Sequence, residues 1–341
     1  MRHDSIPSNC SKTVSNGSKT ANLVSLAWSM GLGAALISGP AALSQTPGTQ
    51  LNAGDIVYAD SGDGISGGFV LKVDPASGAK TVVASGGFLR MPYGVVVDSN
   101  GQIMVSDSGR LIHIDPNTQI QTVIPDNSLG ILGSPYGIDI DPTGEVLAAN
   151  AQSVVRFDPA SGQATIVSSG ANFRAPLGVV VADNGGLLVV NAGSPGQVVR
   201  VNAQNGGQKV LSSGLYLNSP RSIVVQGNDI YVTDVFSTNI NYGVAGRVIH
   251  IDAHTGAQTV VSAGQLLVDP VGIAIDANGQ IIVADASTVD PASPNLSSGG
   301  YDGCIIRIDP VTGAQTPLAR GQGSCLNPQG VAVVPATVSK R

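Results

Sequence analysis

Short apolar runs alternate along this chain with turn-forming residues at a steady beat. One stretch states the unit in full: Pro270-Val271-Gly272-Ile273-Ala274-Ile275, then Asp276-Ala277-Asn278-Gly279, then Gln280-Ile281-Ile282-Val283-Ala284-Asp285. The apolar runs are too short and too β-branched for helices, and the Asp-x-x-Gly between them reverses the chain, so the pattern predicts two strands and a tight turn. The first run, Gly272 to Ile275, is apolar at every position, which predicts a strand covered on both faces.

The unit recurs. Aligned on the proline, it gives Pro92-Tyr93-Gly94, Pro135-Tyr136-Gly137, Pro176-Leu177-Gly178, Pro220-Arg221-Ser222, Pro270-Val271-Gly272 and Pro328-Gln329-Gly330. Spacings of about 41 to 58 residues without a 3.6-residue period suit four-stranded propeller blades, strands A to D running outward from a central axis. Strand B ends in Asp or Asn: Asp107, Asn150, Asn191, Asp234 and Asp285. Strand C carries a basic residue two positions before another Asp or Asn, as in His113/Asp115, Arg156/Asp158, Arg200/Asn202, His250/Asp252 and Arg307/Asp309. A turn such as Asp158-Pro159-Ala160-Ser161-Gly162 then leads into the edge strand D.

The two ends of the array complement each other. Gly54 to Ala84 supplies strands B, C and D, with Asp60 at the end of B and Lys72/Asp74 in C, but no strand A; Gly330 to Val334 is a strand A with nothing after it. Their union predicts a sixth blade that closes the ring and removes free sheet edges. The expected fold is therefore all-β, a six-bladed β-propeller of four-stranded antiparallel blades over residues 54–335. Residues 45–53 form a short N-terminal segment and 336–341 a tail.

Composition agrees with this reading and narrows the function. Hydrophobic residues make up 42% of 341 while aromatics make up 4%, and there are 44 glycines, so short Val/Ile/Leu/Ala strands must fill the interior. The formal charge is −6 with no Lys/Arg run, which makes the chain a poor nucleic-acid binder by its field, and no nucleic-acid partner is expected. Lys12 and Lys19, the apolar stretch Leu23 to Ile37, and Pro40 with Ala42-Leu43-Ser44 read as a cleaved signal peptide over residues 1–44. The expected location is periplasmic or secreted, with no membrane span in the mature chain. Cys10 leaves with the leader, so Cys304 and Cys325 remain as an even pair, expected as a disulfide.

The repeated phrase of proline, glycine, apolar strand, Asp-x-x-Gly, second strand and Ala-Asp resembles NHL repeats and the SMP-30/gluconolactonase-like group of six-bladed propellers, over roughly residues 54 to 335. The resemblance implies the architecture; it spans lactonases, lyases and binding modules. In the SMP-30-like enzymes the residue after the strand A proline supplies Asn and Asp metal ligands, together with a Glu. Here those positions are Tyr93, Tyr136, Leu177, Arg221, Val271 and Gln329, none of them a carboxylate, and the single glutamate, Glu145, sits in an A to B turn on the opposite face. Lyase-like relatives also use histidines near the channel, whereas His113 and His250 occupy the strand C basic position and His254 a C to D turn.

Strand alternation puts the B to C and D to A connections on one face, and that face carries the insertions: 61–68, 235–246, 286–303 and the D to A segments near 88–90, 127–134, 173–174, 215–217 and 321–327. Candidate ligand-binding residues there are Tyr93, Tyr136, Arg221, Arg90, Arg174, Asp234 and Asp285, with Phe88 and Phe173 beside them, because arginine next to aromatics suits a carboxylate, phosphate or sugar acid. Arg221 is alternatively a partner of Asp234. The strand B ring of Asp and Asn reads either as a polar collar or as caps on the B to C loops. No catalytic residue and no cofactor are assigned; should a metal be held, the expected ion is calcium on Asp60, Asp107, Asp234 and Asp285. The expected role is a monomeric binding module for a small polar or anionic ligand or another protein. The alternative is a metal-dependent lactone hydrolase or a lyase.

Overall fold

The computed structural model describes residues 48–62, 67–127, 130, 133–236, 245–288, 302–320 and 327–336. The expected leader at 1–44, Cys325 and the last residues of the tail, 337–341, lie outside them. Six four-stranded antiparallel sheets stand in a ring. Strands A to D run Pro92–Val97, Ile103–Asp107, Arg110–Ile114 and Gln121–Ile124 in blade 1, and Pro135–Ile140, Val146–Asn150, Ser153–Asp158 and Gln163–Ser169 in blade 2. They run Pro176–Val181, Leu187–Asn191, Gln197–Val201 and Gln208–Ser213 in blade 3, and Pro220–Gln226, Asp229–Phe236, Ala245–Asp252 and Gln258–Ala263 in blade 4. Blade 5 is Pro270–Ile275, Ile281–Thr288, Asp302–Ile308 and Gln315–Arg320. Among the described residues no helix is long and apolar enough to cross a membrane.

Blade 6 is the expected composite. Its strand A is Pro328–Val333, and its strands B, C and D are Ile56–Asp60, Phe69–Val73 and Lys80–Ser85. The seam is antiparallel, with Ile56 opposite Val333 and Tyr58 opposite Val331, and it is locked at one end by Gly54 N–H to Val334 O at 2.9 Å and Val334 N–H to Asp55 O at 2.8 Å.

Each of the six hydrophobic clusters lies between two neighbouring blades, so every blade needs both neighbours to bury its faces. Strand B, and not strand A, is the strand covered throughout: in blades 1, 2, 3 and 6 all its residues are buried. Strand A is only partly covered, because part of its length faces the axis. Glycine sets how closely the A strands approach. A Cβ on Gly94, Gly137, Gly272 or Gly330 would come within 2.6, 2.7, 2.5 or 2.4 Å of a carbonyl oxygen on the next strand A. Those are sub-contact distances, so the Pro-x-Gly phrase marks a neck where backbones meet. At the outer edge a glutamine opening strand D reaches back to the preceding blade: Gln208, Gln258 and Gln315 accept from the N–H of Asn172, Tyr216 and Leu266 and donate to Ser168, Ser212 and Ser262.

Deleting residues 328–341 should abolish the single cooperative melt of the whole ring. It uncovers strand B of blade 6 and removes the buried Val331 and Val334 from two interfaces, on the order of 5 kcal/mol, which is comparable with the stability of an ordinary domain. A calorimetric scan of the truncated chain that matches the intact protein would refute the seam.

Candidate functional site

At or near the end of each strand B stands a carboxylate or amide that is almost completely removed from solvent: Asp60, Asp107, Asn150, Asn191, Asp234 and Asp285. Their partners are mainly the backbone N–H groups just before the strand A proline of the same blade. Asp107 Oδ2 accepts from Arg90 and Met91 at 2.7 and 3.0 Å, Asn191 Oδ1 from Arg174 and Ala175 at 2.9 and 2.8 Å, and Asp234 Oδ2 from Asn218 and Ser219 at 2.8 and 2.9 Å. Asn150 takes Ser134 at 3.0 Å and Asp285 takes Val268 and Asp269 at 2.9 and 3.1 Å. Asp60, at the seam, takes Asn327 at 3.0 Å. Capping of the side chain's own B to C loop is secondary, seen from Gly62 to Asp60 and from Ser287 to Asp285. The ring therefore pins the segment that brings the chain from the outer edge back to the axis.

Pinning places the residue after each proline at the channel. Tyr93, Tyr136, Leu177, Arg221, Val271 and Gln329 together line a cavity of about 120 Å³ at the mouth, floored by the glycine neck and by Ser222, the one side chain that replaces a neck glycine. Tyr93 and Tyr136 meet at 5.4 Å between ring centroids with a 59° tilt. Burial, with Tyr136 and Asp107 nearby, pushes the Tyr93 phenol up, so it is a hydrogen-bonding hydroxyl and not a phenolate. In the ring order Arg221 stands across the axis from Tyr93. Its Nε is buried without a hydrogen-bond partner. Asp269, from the next blade, has one buried oxygen likewise unpartnered, and its carboxyl is pushed up by burial against the opposing pull of Arg221.

Of the sequence-derived candidates, Tyr93, Tyr136 and Arg221 are brought together. Arg90 and Arg174 are exposed and do not line the mouth; what they contribute is backbone N–H to the pins. Phe173 is 4% exposed and belongs to the core between blades 2 and 3, which corrects its placement on the binding rim, while Phe88 stays exposed. Asp234 does not pair with Arg221. Its Oδ1 is taken by Arg247 Nε at 3.3 Å and Nη2 at 3.2 Å, and that guanidinium lies 5.7 Å over the Tyr216 ring. Arg247 went unnoticed in the sequence because a long insertion separates it from its partner; only the register, Asp234 opposite Arg247, reveals it.

Among the described residues no three His, Cys, Asp or Glu side chains gather into a metal-holding group, so Asp60, Asp107, Asp234 and Asp285 are not assembled into one. Among the described residues Cys304 is a buried free thiol, and burial pushes its pKa up to about 12; its expected bridge partner, Cys325, lies outside them. Cys304 stands opposite Asp285, as Arg247 stands opposite Asp234. Burial outweighs three backbone N–H bonds, and the like charge of Asp269 adds to it, so Asp285 rises to about 7.

No protein-family model matches the sequence, and no curated protein matches it. Among solved structures it superposes on one titled crystal structure of the nidogen/laminin complex, with a TM-score of 0.63 at 12% identity, over 83% of this chain and 99% of the other. It superposes also on TolB from Acinetobacter baumannii, with a TM-score of 0.59 at 16% identity, over 83% of this chain and 67% of that one. At such identities the likeness bears on the fold alone. It supports the six-bladed propeller without singling out the NHL or SMP-30-like groups.

Asp285 carries a pH signature. Its folded pKa lies above the unfolded value near 4, so the native state holds the proton more tightly, and stability falls as pH rises from about 4 to about 7. D285N cannot titrate and resembles the Asn pins of blades 2 and 3. Relative to the parent it should gain on the order of 3 kcal/mol across that window. Parallel urea-denaturation curves for the two proteins at pH 4.5 and 8 would contradict the assignment.

Proposed function

We propose that this chain is an exported protein-binding module that engages its partner through the face bearing the B to C and D to A connections. An acidic or amide side chain of the partner enters the channel mouth beside Arg221. The observation that carries this reading is the size and chemistry of the mouth. A cavity of about 120 Å³ is well below the roughly 300 Å³ where small-molecule sites begin, yet it suits one side chain. Arg221 lines the mouth and brings a guanidinium to it, and the two tyrosines supply amphipathic walls of the kind enriched at interfaces. Arginine and tyrosine in a small pocket are the usual anchors of such contacts.

The fold neighbours agree with this without deciding it; the nidogen structure is by its title a complex with laminin. The lactonase-type alternative is less well supported, since the mouth-lining side chains are two phenols, a guanidinium, an amide and two aliphatic groups, and a hard cation wants several oxygens converging.

Selection of a displayed random-peptide library on the protein, with counter-selection on R221Q, tests the proposal. Both R221Q and Y136V place in the mouth a residue that a sister blade already carries there, so the fold should tolerate them. Enriched peptides should centre on Asp, Glu, Asn or Gln and lose about tenfold or more in affinity on either change, as expected for one charge-assisted hydrogen bond. Peptides that bind parent and R221Q equally would overturn it. Saturable binding of sugar acids or lactones that depends on Arg221, with no such peptide emerging, would replace it by a small-ligand site.

A further inference from the structure

A cavity of about 540 Å³ lies on the opposite face, in the groove between blades 3 and 4, and blade 3 departs there twice from its sisters. In every blade the basic residue of strand C faces a residue of strand D across the ladder. That residue is threonine in five blades: Lys72 faces Thr81, His113 faces Thr122, Arg156 faces Thr165, His250 faces Thr259 and Arg307 faces Thr316. In blade 3 alone Arg200 faces Lys209. Directly opposed residues point to the same side of a sheet, so two cations are set next to each other, an arrangement that is unfavourable unless something neutralises it.

The second departure removes the neutralising group. In blades 2 and 5 the first residue of the A to B turn is an aspartate that pairs with the strand C arginine, Asp141 with Arg156 at 3.7 Å and Asp276 with Arg307 at 3.9 Å. Asp55 serves Lys72 at 3.2 Å and Asp229 serves His250 at 2.7 Å in blades 6 and 4. In blade 3 the turn position is Ala182, with the same backbone closure, Ala182 N–H to Gly186 O, that Asp141 and Asp276 make. Among the described residues Arg200 has no carboxylate partner; it donates to Ala253 O of the next blade, as Arg307 donates to Pro75 O. Asp183 is exposed on the rim of the cavity and pairs with neither cation.

From this we infer that the groove between blades 3 and 4 binds a phosphomonoester, its phosphate seated between Arg200 and Lys209 in the place the missing aspartate leaves open. Two adjacent cations match a dianion better than a monocarboxylate, and guanidinium geometry suits a tetrahedral oxyanion. The volume exceeds what a bare phosphate fills, and Leu188 and Leu211 give the remainder of the ligand an apolar wall, with His254 at the far rim. The site is independent of the mouth and of the function proposed for it.

Isothermal titration of the full chain with phenyl phosphate, inorganic phosphate and acetate tests the inference, alongside K209T and A182D, each of which restores a sister-blade residue. Saturable binding is expected in the order phenyl phosphate, phosphate, acetate. Either substitution should weaken phenyl phosphate about tenfold or more, and R221Q should leave it unchanged. In phosphate-free buffer of low ionic strength both variants should also melt above the parent, because each relieves the opposed cations. The substitutions lie on different strands, so misfolding of one leaves the other as a test. Absence of saturable binding by the parent, acetate binding as tightly as phenyl phosphate, or variants that bind like the parent would each overturn the assignment.

Discussion

One buried oxygen per blade holds this molecule in register. The D to A connection must carry the chain from the outer edge to the axis, and it arrives with backbone N–H groups that have no strand to pair with. The Asp or Asn at the end of strand B accepts them, from 15 to 17 residues upstream within a blade, and from Asn327 at the seam. A charged or amide acceptor in a dry setting is strong when satisfied, and its removal would leave orphaned donors, so the position tolerates only short side chains with a carbonyl-type oxygen. Proline then sets the direction of strand A, the next side chain is delivered to the mouth, and glycine lets neighbouring backbones close the axis beneath it.

That constraint divides the sequence into what repeats and what does not. Residues that recur in nearly every blade, namely the pins, the neck glycines, the basic residue of strand C and the strand D threonine, hold the ring. Function is left to positions where one blade breaks the rule. The mouth position differs from blade to blade and carries Arg221 and the tyrosine pair, and Ala182 with Lys209 breaks the repeat on the other face. The residue facing each pin also varies: Arg247 pulls Asp234 down against its burial, whereas at Asp285, opposite Cys304, burial and the nearby Asp269 lift the carboxyl to about 7.

The ring was legible in the sequence because its period is carried by residues with few substitutes, proline, glycine and aspartate, and because the two partial blades at the ends fit each other. The mouth residues were legible for the same reason, each being counted one step from a proline. Less was visible wherever a partner lies far along the chain. The Asp ring resembled loop caps because its true donors sit a full hairpin away. Phe173 looked like a rim aromatic although the D to A segment turns it into the core. Arg247 and the opposition of Arg200 and Lys209 needed the strand register, which an insertion in one case and a single substitution in the other concealed.

Hydrogen–deuterium exchange on D107A, read at individual amides, tests most directly whether the pins build the mouth. The amides of Arg90 and Met91, both bound by Asp107 in the parent, should lose protection together with strand A of blade 1 through Val97, while the amides of blades 3 and 4 keep theirs. Unchanged protection at Arg90 and Met91 in that variant would contradict the account.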